Sequence, residues 1–201
     1  MRGRLFVFEG PDGAGKTTLS KCLLDHLKKG GARASYMSFP GKESGTLGAL
    51  VYDVHHDPGQ FGIEQPDPTS LQLLHIAAHV DLIEKRIRPV LMAGDTLVLD
   101  RFWWSTWVYG KNLGARTPSL ERMISLEKDH WADLQPNCAF LVFRTSAARP
   151  EQTAADYAAL SKGYDLIAQQ ESGKYPVVRI STDSTLDESV AHVIQYIQRF
   201  R

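Results

Sequence analysis

Apolar residues gather in five short runs, at 4–8, 34–39, 96–99, 139–143 and 176–180, separated by longer stretches with helical spacing. The first, third and fourth runs are continuously apolar rather than alternating, the pattern of strands buried on both faces. Between the runs the spacing predicts helices over 16–29, 70–92, 120–134, 154–170 and 186–200. The first of these stops at the Gly30-Gly31 pair, and the last is preceded by Asp183 and Ser184 as capping candidates. Strand and helix alternate along the whole chain, which predicts an α/β fold: a five-stranded parallel sheet with right-handed crossovers and helices on both faces. No internal repeat, low-complexity tract or linker divides residues 1–201, so a single domain is expected. In such a sheet ligands sit beyond the carboxyl ends of the strands, where Gly10, Pro40, Asp100 and Arg144 fall.

Charge narrows the partners. The chain carries 23 basic and 23 acidic residues, so no net field draws it to a nucleic acid polymer or an anionic membrane, and neither partner is expected. Its two cysteines, Cys22 and Cys138, are far apart and form neither a disulfide framework nor a metal-binding pattern. They read as small buried side chains in a reducing compartment. No apolar leader precedes the first strand and no run approaches membrane-spanning length, so a cytoplasmic location is expected.

The chemistry begins where the first strand ends. Gly10-Pro11-Asp12-Gly13-Ala14-Gly15-Lys16-Thr17-Thr18 is a phosphate-binding loop between a strand and a helix, the context that gives this motif its meaning. Its successive backbone N–H groups form a concavity for phosphates, and the helix adds its positive end. Lys16 is placed to reach the β and γ phosphates of a nucleotide, and Thr17 to offer a hydroxyl to Mg²⁺. The third strand delivers Asp100 and Arg101 to the same edge. An aspartate there can orient magnesium, its water or a hydroxyl, and an arginine can fork onto phosphate oxygens. A surface ion pair capping the strand is the alternative for that dipeptide. A regulatory GTPase would carry an Asn-Lys-x-Asp motif, which the sequence lacks.

With both sites in view, the chain resembles the thymidylate kinase family. The resemblance rests on Phe8 through Thr18, on Phe39-Pro40-Gly41-Lys42 with Gly45-Thr46-Leu47-Gly48, and on the long helical stretch 73–94. It continues through Asp100-Arg101-Phe102 with Ser105 and Tyr109-Gly110, and Lys162-Gly163-Tyr164. It implies a three-layer P-loop kinase fold and transfer of the ATP γ-phosphoryl to the 5′-phosphate of thymidine monophosphate or a related pyrimidine nucleotide. ATP and Mg²⁺ are the implied cofactors, and a homodimer the implied assembly. Carried over, Lys16 and Thr17 serve ATP and magnesium, Asp12 holds the acceptor's sugar hydroxyl, and Arg101 binds the acceptor phosphate. Glu9 and Asp100 assist with magnesium or hydrogen bonding, or organise the loop.

Departures from the family pattern cluster on the acceptor side. His75 and His79 stand where an aromatic and an arginine are usual, Gly110 where a glutamine follows the tyrosine, and Lys42 where an arginine is common. Because paired hydrogen bonds discriminate bases strongly, these changes predict altered or relaxed base choice. A kinase for a different or modified nucleoside or nucleotide, or a catalytically weak nucleotide-binding protein, are the alternatives. His75 and His79 share a helical face, which also admits a metal reading with no evident third ligand. Gly13 leaves the phosphate loop without its own arginine, so the transfer arginine is expected from a short lid near 144–156, as Arg144 or Arg149. His55-His56, followed by Asp57-Pro58-Gly59, reads as a solvated loop without a role. Phe102, Trp103, Trp104 and Trp107 crowd a helix start, where one can stack on a base and others pack against the long helix or a subunit partner.

Overall fold

A computed structural model describes residues 2–145 and 152–200. Five strands, β1 (Leu5–Glu9), β2 (Ala34–Ser38), β3 (Thr96–Asp100), β4 (Cys138–Phe143) and β5 (Val177–Ser181), pair in parallel in the order β2-β3-β1-β4-β5. In register, Val7 of β1 lies between Leu99 of β3 and Ala139 of β4. The two-residue period of the pleat sends Leu5, Val7, Leu97, Leu99 and Leu141 into one core. Phe6, Phe8, Val98, Phe140 and Val142 enter the other. Each of these fully buried large side chains contributes about 1.5–3 kcal/mol relative to exposure, which is why β1, β3 and β4 read as unbroken apolar runs.

Helices α1 (Lys16–Lys29) and α8 (Leu186–Ile197) cover the phenylalanine face through Leu19, Leu23, Val193 and Ile197. The opposite face is covered by α3 (Pro68–Leu82), α4 (Arg88–Met92), α5 (Trp103–Asn112), α6 (Thr117–Trp131) and α7 (Ala154–Glu171). Helices therefore lie on both faces of a five-stranded parallel sheet, as expected. Among the described residues no helix is long and apolar enough to cross a membrane.

Several boundaries differ from expectation, each for a local reason. The long helix begins at Pro68 because the Asp67 carboxylate accepts from the N–H groups of Thr69 and Ser70 at 2.9 and 3.0 Å. It continues through a π turn, Ile83–Ile87, into α4. That turn widens the backbone just before Pro89, whose ring cannot fit against the carbonyl four residues back. The helix expected over 120–134 runs from Thr117 to Trp131, with Pro118 in its first turn. The start of α8 is capped by Thr185, in a reciprocal capping box with Glu188, and not by Asp183 or Ser184. Asp183 instead accepts from the Thr145 backbone N–H at 3.0 Å.

The largest difference is a helix where a loop was expected. Helix α2 (Leu47–His56) is capped by Thr46, whose hydroxyl accepts from the Ala49 N–H at 3.1 Å, and it buries Val51 and Val54. His55 and His56 form its last turn, so they belong to a regular element and not to a solvated loop. The start signal, Thr46 before Leu47, was legible; the element is only ten residues long and ends in His55-His56 before Asp57-Pro58-Gly59, a polar run that reads as a loop.

Replacing Thr185 by Ala removes one half of the capping box and is expected to lower stability by about 1 kcal/mol, read as a lower urea midpoint with an unchanged slope.

Candidate active site

The phosphate loop takes its shape from a close approach. Gly10 has φ 142°, and a Cβ there would stand 2.0 Å from the Val142 carbonyl oxygen, so only glycine lets the chain turn beside β4. The turn bends the chain back over Lys16, whose Nζ donates to the Gly10 and Pro11 carbonyls at 2.7 and 2.8 Å. Burial pushes the Lys16 ammonium down to about 7, Arg101 adds to the effect, and Asp12, 3.9 Å away, opposes it. Lys16 is thus held in the loop by carbonyls that incoming phosphate oxygens can outcompete.

At the end of β3, Asp100 faces the helix that follows the loop. The Thr17 hydroxyl donates to Asp100 Oδ2 at 2.5 Å, and the Tyr36 hydroxyl donates to the same oxygen at 3.1 Å. Asp100 Oδ1 is buried and has no hydrogen-bond partner. A free carboxylate oxygen beside a hydroxyl, reached from a phosphate cradle, fits a hard divalent cation that takes oxygen ligands and keeps phosphates and waters as the rest of its shell. Thr17 and Asp100 are therefore the residues able to hold magnesium.

Arg101 is held in an unusual backbone conformation, φ 75°, the one non-glycine residue with positive φ among those described. Glu9 secures that turn. One of its carboxylate oxygens accepts from the N–H groups of Phe102 and Ser105 at 2.6 and 3.0 Å, and the other from the Ser105 hydroxyl at 2.7 Å. Complete burial raises the Glu9 carboxyl to about 7, against the lowering effects of Ser105, Arg101 and Lys16. Of the two roles expected for Glu9, organising the loop is the one the geometry supplies. Arg101 in turn donates to Ser105 Oγ at 3.0 Å and forms an ion pair with Asp12. Tyr109 completes this group: its hydroxyl accepts from the Asp12 N–H at 3.0 Å, and burial raises its pKa to about 12.

Two cavities open onto these residues. One, of about 720 Å³, runs along the phosphate loop and is lined by Gly13, Gly15, Lys16, Thr17, Thr18 and Asp100, with Tyr36 on its far side. The other, of about 500 Å³, lies between α2, α3 and α5 and is lined by Tyr52, His55, His56, His75, His79 and Tyr109, with Gln72. Asp12, Phe39, Lys42 and Arg101 border both. A donor and an acceptor in the two cavities would meet at these four residues.

The histidines are held by neighbouring side chains. The His79 Nδ1 lies 3.0 Å from Glu127 Oε2, and its ring stacks on Phe39 at 3.9 Å and 14°. His75 Nε2 lies 3.0 Å from His55 Nδ1. Burial pushes His75 well below the usual histidine range, and His79, His55 and Arg101 push the same way, so its imidazole is neutral. Among the described residues no group of three or more metal-ligating side chains gathers, which removes the metal reading of His75 and His79.

Other expectations divide. Lys42 reaches both cavities, with its ammonium 4.1 Å over the Tyr52 ring. Arg144 stands at the end of β4 on the site's edge of the sheet, yet its side chain lines neither cavity; its backbone N–H donates to the Tyr157 hydroxyl at 3.1 Å and its charge acts on Asp183. Arg149 lies outside the described residues. No tryptophan lines the acceptor cavity: Trp104 is fully buried and donates to the Tyr175 hydroxyl at 3.1 Å, and Trp103 lies under the Lys128 ammonium at 3.8 Å. Gln72, Tyr52, His55 and His56 were missed, because their place depends on how α2 docks on α3, which no motif encodes.

With the geometry in place, comparison with known proteins gives it a family. The sequence model for thymidylate kinase matches residues 8–159, most of the chain. The chain belongs to the thymidylate kinase family. A thymidylate kinase of Pseudomonas fluorescens is 36% identical over 144 residues, 71% of this chain and 64% of that protein. The matched stretch thus spans somewhat less than two thirds of that relative's length. A thymidylate kinase of Ectopseudomonas mendocina is 30% identical over 181 residues, covering 89% of this chain and 80% of that protein. A solved thymidylate kinase structure from Ehrlichia chaffeensis superposes with a TM-score of 0.78 over 98% of this chain and all of that one; at 23% identity it supports the fold. The family's fold is thus the three-layer arrangement described above.

The raised Glu9 pKa fixes a sign. A carboxyl that titrates at about 7 when folded and near 4.5 when unfolded binds more protons in the native state between those values. Its contribution to stability is therefore full below pH 4.5 and declines as pH rises toward 7. Glu9→Gln is expected to remove this component, so that the wild-type protein loses more stability than the variant between pH 5 and pH 7 in urea unfolding (on the order of 1 kcal/mol or more).

Proposed function

We propose that the chain is an ATP-dependent nucleoside monophosphate kinase that phosphorylates dTMP or a closely related pyrimidine deoxynucleotide. The observation that carries this reading is the junction of the two cavities at Asp12, Lys42 and Arg101, one bounded by a phosphate loop and the other by aromatic and imidazole rings. An oxygen of the acceptor's 5′-phosphate attacks the γ-phosphorus as the bond to the β–γ bridging oxygen breaks, giving ADP and a nucleoside diphosphate. No protein nucleophile takes part; positioning and charge neutralisation supply the acceleration.

The geometry supports these roles. Lys16 leaves the Gly10 and Pro11 carbonyls for the β and γ phosphates, while the remaining N–H groups of residues 13–18 cradle them. Thr17 and Asp100 would hold magnesium, which would supply positive charge to the phosphate oxygens. Arg101 and Lys42 bind the acceptor phosphate, and Asp12, already paired with Arg101, accepts from the sugar hydroxyl. His75, His79 and Tyr109 bound the base and sugar. The transfer arginine comes from the segment 144–156, as Arg144 or Arg149, closing over the donor within a single kinase domain spanning 1–201.

Assembly and location belong to the same proposal. Leu73 of α3, Leu126 of α6 and Leu166 of α7 are each more than half exposed, apolar side chains that a second copy in a homodimer could cover. Cys22 and Cys138 are both unpaired, which suits a reducing cytoplasm. The partner is a small nucleotide, with no nucleic acid polymer and no membrane involved.

An assay of ADP release with Mg·ATP and dTMP, dUMP, dCMP, dAMP or thymidine tests the activity. Turnover is expected with dTMP foremost, and Lys16→Ala is expected to lower it at least about 10²-fold. Wild-type turnover no higher than that of Lys16→Ala with every acceptor would overturn the proposal. A second test uses the depressed Lys16 pKa. Bound phosphates raise it again, so ATP affinity is full below pH 7 and weakens as pH rises beyond it. Calorimetry at pH 8 in buffers of different ionisation enthalpy should show proton uptake on ATP binding, absent in Lys16→Ala.

A further inference from the structure

One polar side chain on the wall of the acceptor cavity has no hydrogen-bond partner among the described residues. Gln72 of α3 is 2% exposed and borders the cavity, and among the described residues nothing hydrogen-bonds its carboxamide. Its amide is not sealed in the core but reaches the cavity, so its hydrogen bonds are completed by what enters there. Its neighbours on the helix point to what does. Gln72, His75 and His79 follow the i, i+3, i+7 spacing of one helical stripe and all three line the same cavity, while Leu73 and Leu74 on the other side of α3 are exposed. The helix therefore turns its polar stripe inward. Of the three, His79 has one ring nitrogen engaged by Glu127 and His75 has one engaged by His55. Gln72 alone offers a free donor and a free acceptor together.

The opposite wall is shaped around it. On α5, a Cβ at Gly110 would stand 3.0 Å from Gln72 Cγ and 3.1 Å from both Leu120 methyl carbons. A side chain at 110 would crowd Gln72 away from its place. The missing side chain at Gly110 and the unpartnered amide at Gln72 thus form one arrangement. The start of α3 is pinned as well: the Arg116 N–H donates to Thr69 Oγ1 at 3.0 Å, one turn before Gln72.

We infer that Gln72 is the residue that reads the acceptor's base, through a two-point pair between its carboxamide and a pyrimidine edge carrying a donor beside a carbonyl. Gln72 Oε1 accepts from the N3–H of the base, and Nε2 donates to the adjacent carbonyl. Gly110 keeps the space that this geometry needs. The inference rests on the kinase reading above and adds the residue that sets base choice.

Equilibrium binding of dTMP, dCMP and N3-methyl-dTMP to wild type, Gln72→Leu, Gln72→Glu and Gly110→Ala tests it without relying on turnover. Gln72→Leu is expected to weaken dTMP roughly ten- to fiftyfold while ATP affinity stays unchanged. The N3-methyl group should weaken binding to wild type and make no difference to Gln72→Leu, a readout that loss of packing would not produce. Gln72→Glu, which accepts two hydrogen bonds and donates none, should shift the dTMP to dCMP ratio toward the base with an exocyclic amine. Gly110→Ala should weaken dTMP in the same direction as Gln72→Leu. Equal dTMP affinity in wild type and Gln72→Leu, or an N3-methyl penalty that persists in Gln72→Leu, overturns the inference and leaves the kinase reading standing. Wild type that binds ATP but neither nucleotide nor analogue overturns both.

Discussion

The Glu9 carboxylate closes the first strand against the third. Buried without exposure at the end of β1, it accepts two backbone N–H groups and a hydroxyl from the start of α5, and so fixes the turn in which Arg101 takes its positive φ. A strained turn of this kind costs about 1–3 kcal/mol and persists only where its surroundings over-determine it. Here they do: Arg101 is held from one side by Ser105 and from the other by Asp12 of the phosphate loop. The phosphate loop and Arg101 are therefore parts of one hydrogen-bonded unit. Burial raises the Glu9 pKa toward neutrality, a cost the fold accepts in exchange for that rigidity.

Charge in the site is arranged so that the cations wait for anions. Lys16 is buried and depressed toward neutrality, and it rests on two carbonyls; Arg101 rests on Asp12. Each contact is replaceable by a phosphate oxygen at small reorganisation. The acceptor side uses different means. Its rings are neutral or stacked, with His75 kept uncharged by burial and His79 lying flat on Phe39. Lys42 and Arg101 thus place positive charge at the junction of the two cavities, while His75 deeper in the second one is kept neutral.

Some elements were legible because each follows from local sequence. The unbroken apolar runs of β1, β3 and β4 state burial on both faces, and the spacing from Lys16 to Lys29 with Gly30 beyond states a helix and its end. The phosphate loop is local too, since its glycines answer to backbone torsion and to one neighbouring strand. Helix α2 was not legible, because it is ten residues long and its last turn, His55-His56, runs into the turn residues Asp57-Pro58-Gly59. The tryptophans misled in part: their size suggested stacking on a base, whereas Trp104 fills the core beneath Tyr175.

By itself the sequence determined the parallel sheet, the placement of Lys16 and Thr17 at one helix start, and the arrival of Asp100 and Arg101 at the same edge. These depend on strand order and on motifs a few residues long. The tertiary structure decided the acceptor side: that α2 brings His55 to His75, that Glu127 of α6 holds His79, and that Gly110 of α5 leaves room for Gln72 of α3. Those contacts join residues 20 to 48 positions apart on separately packed helices. Their geometry is set by helix docking, which depends on the whole core and is written in no single stretch of the chain.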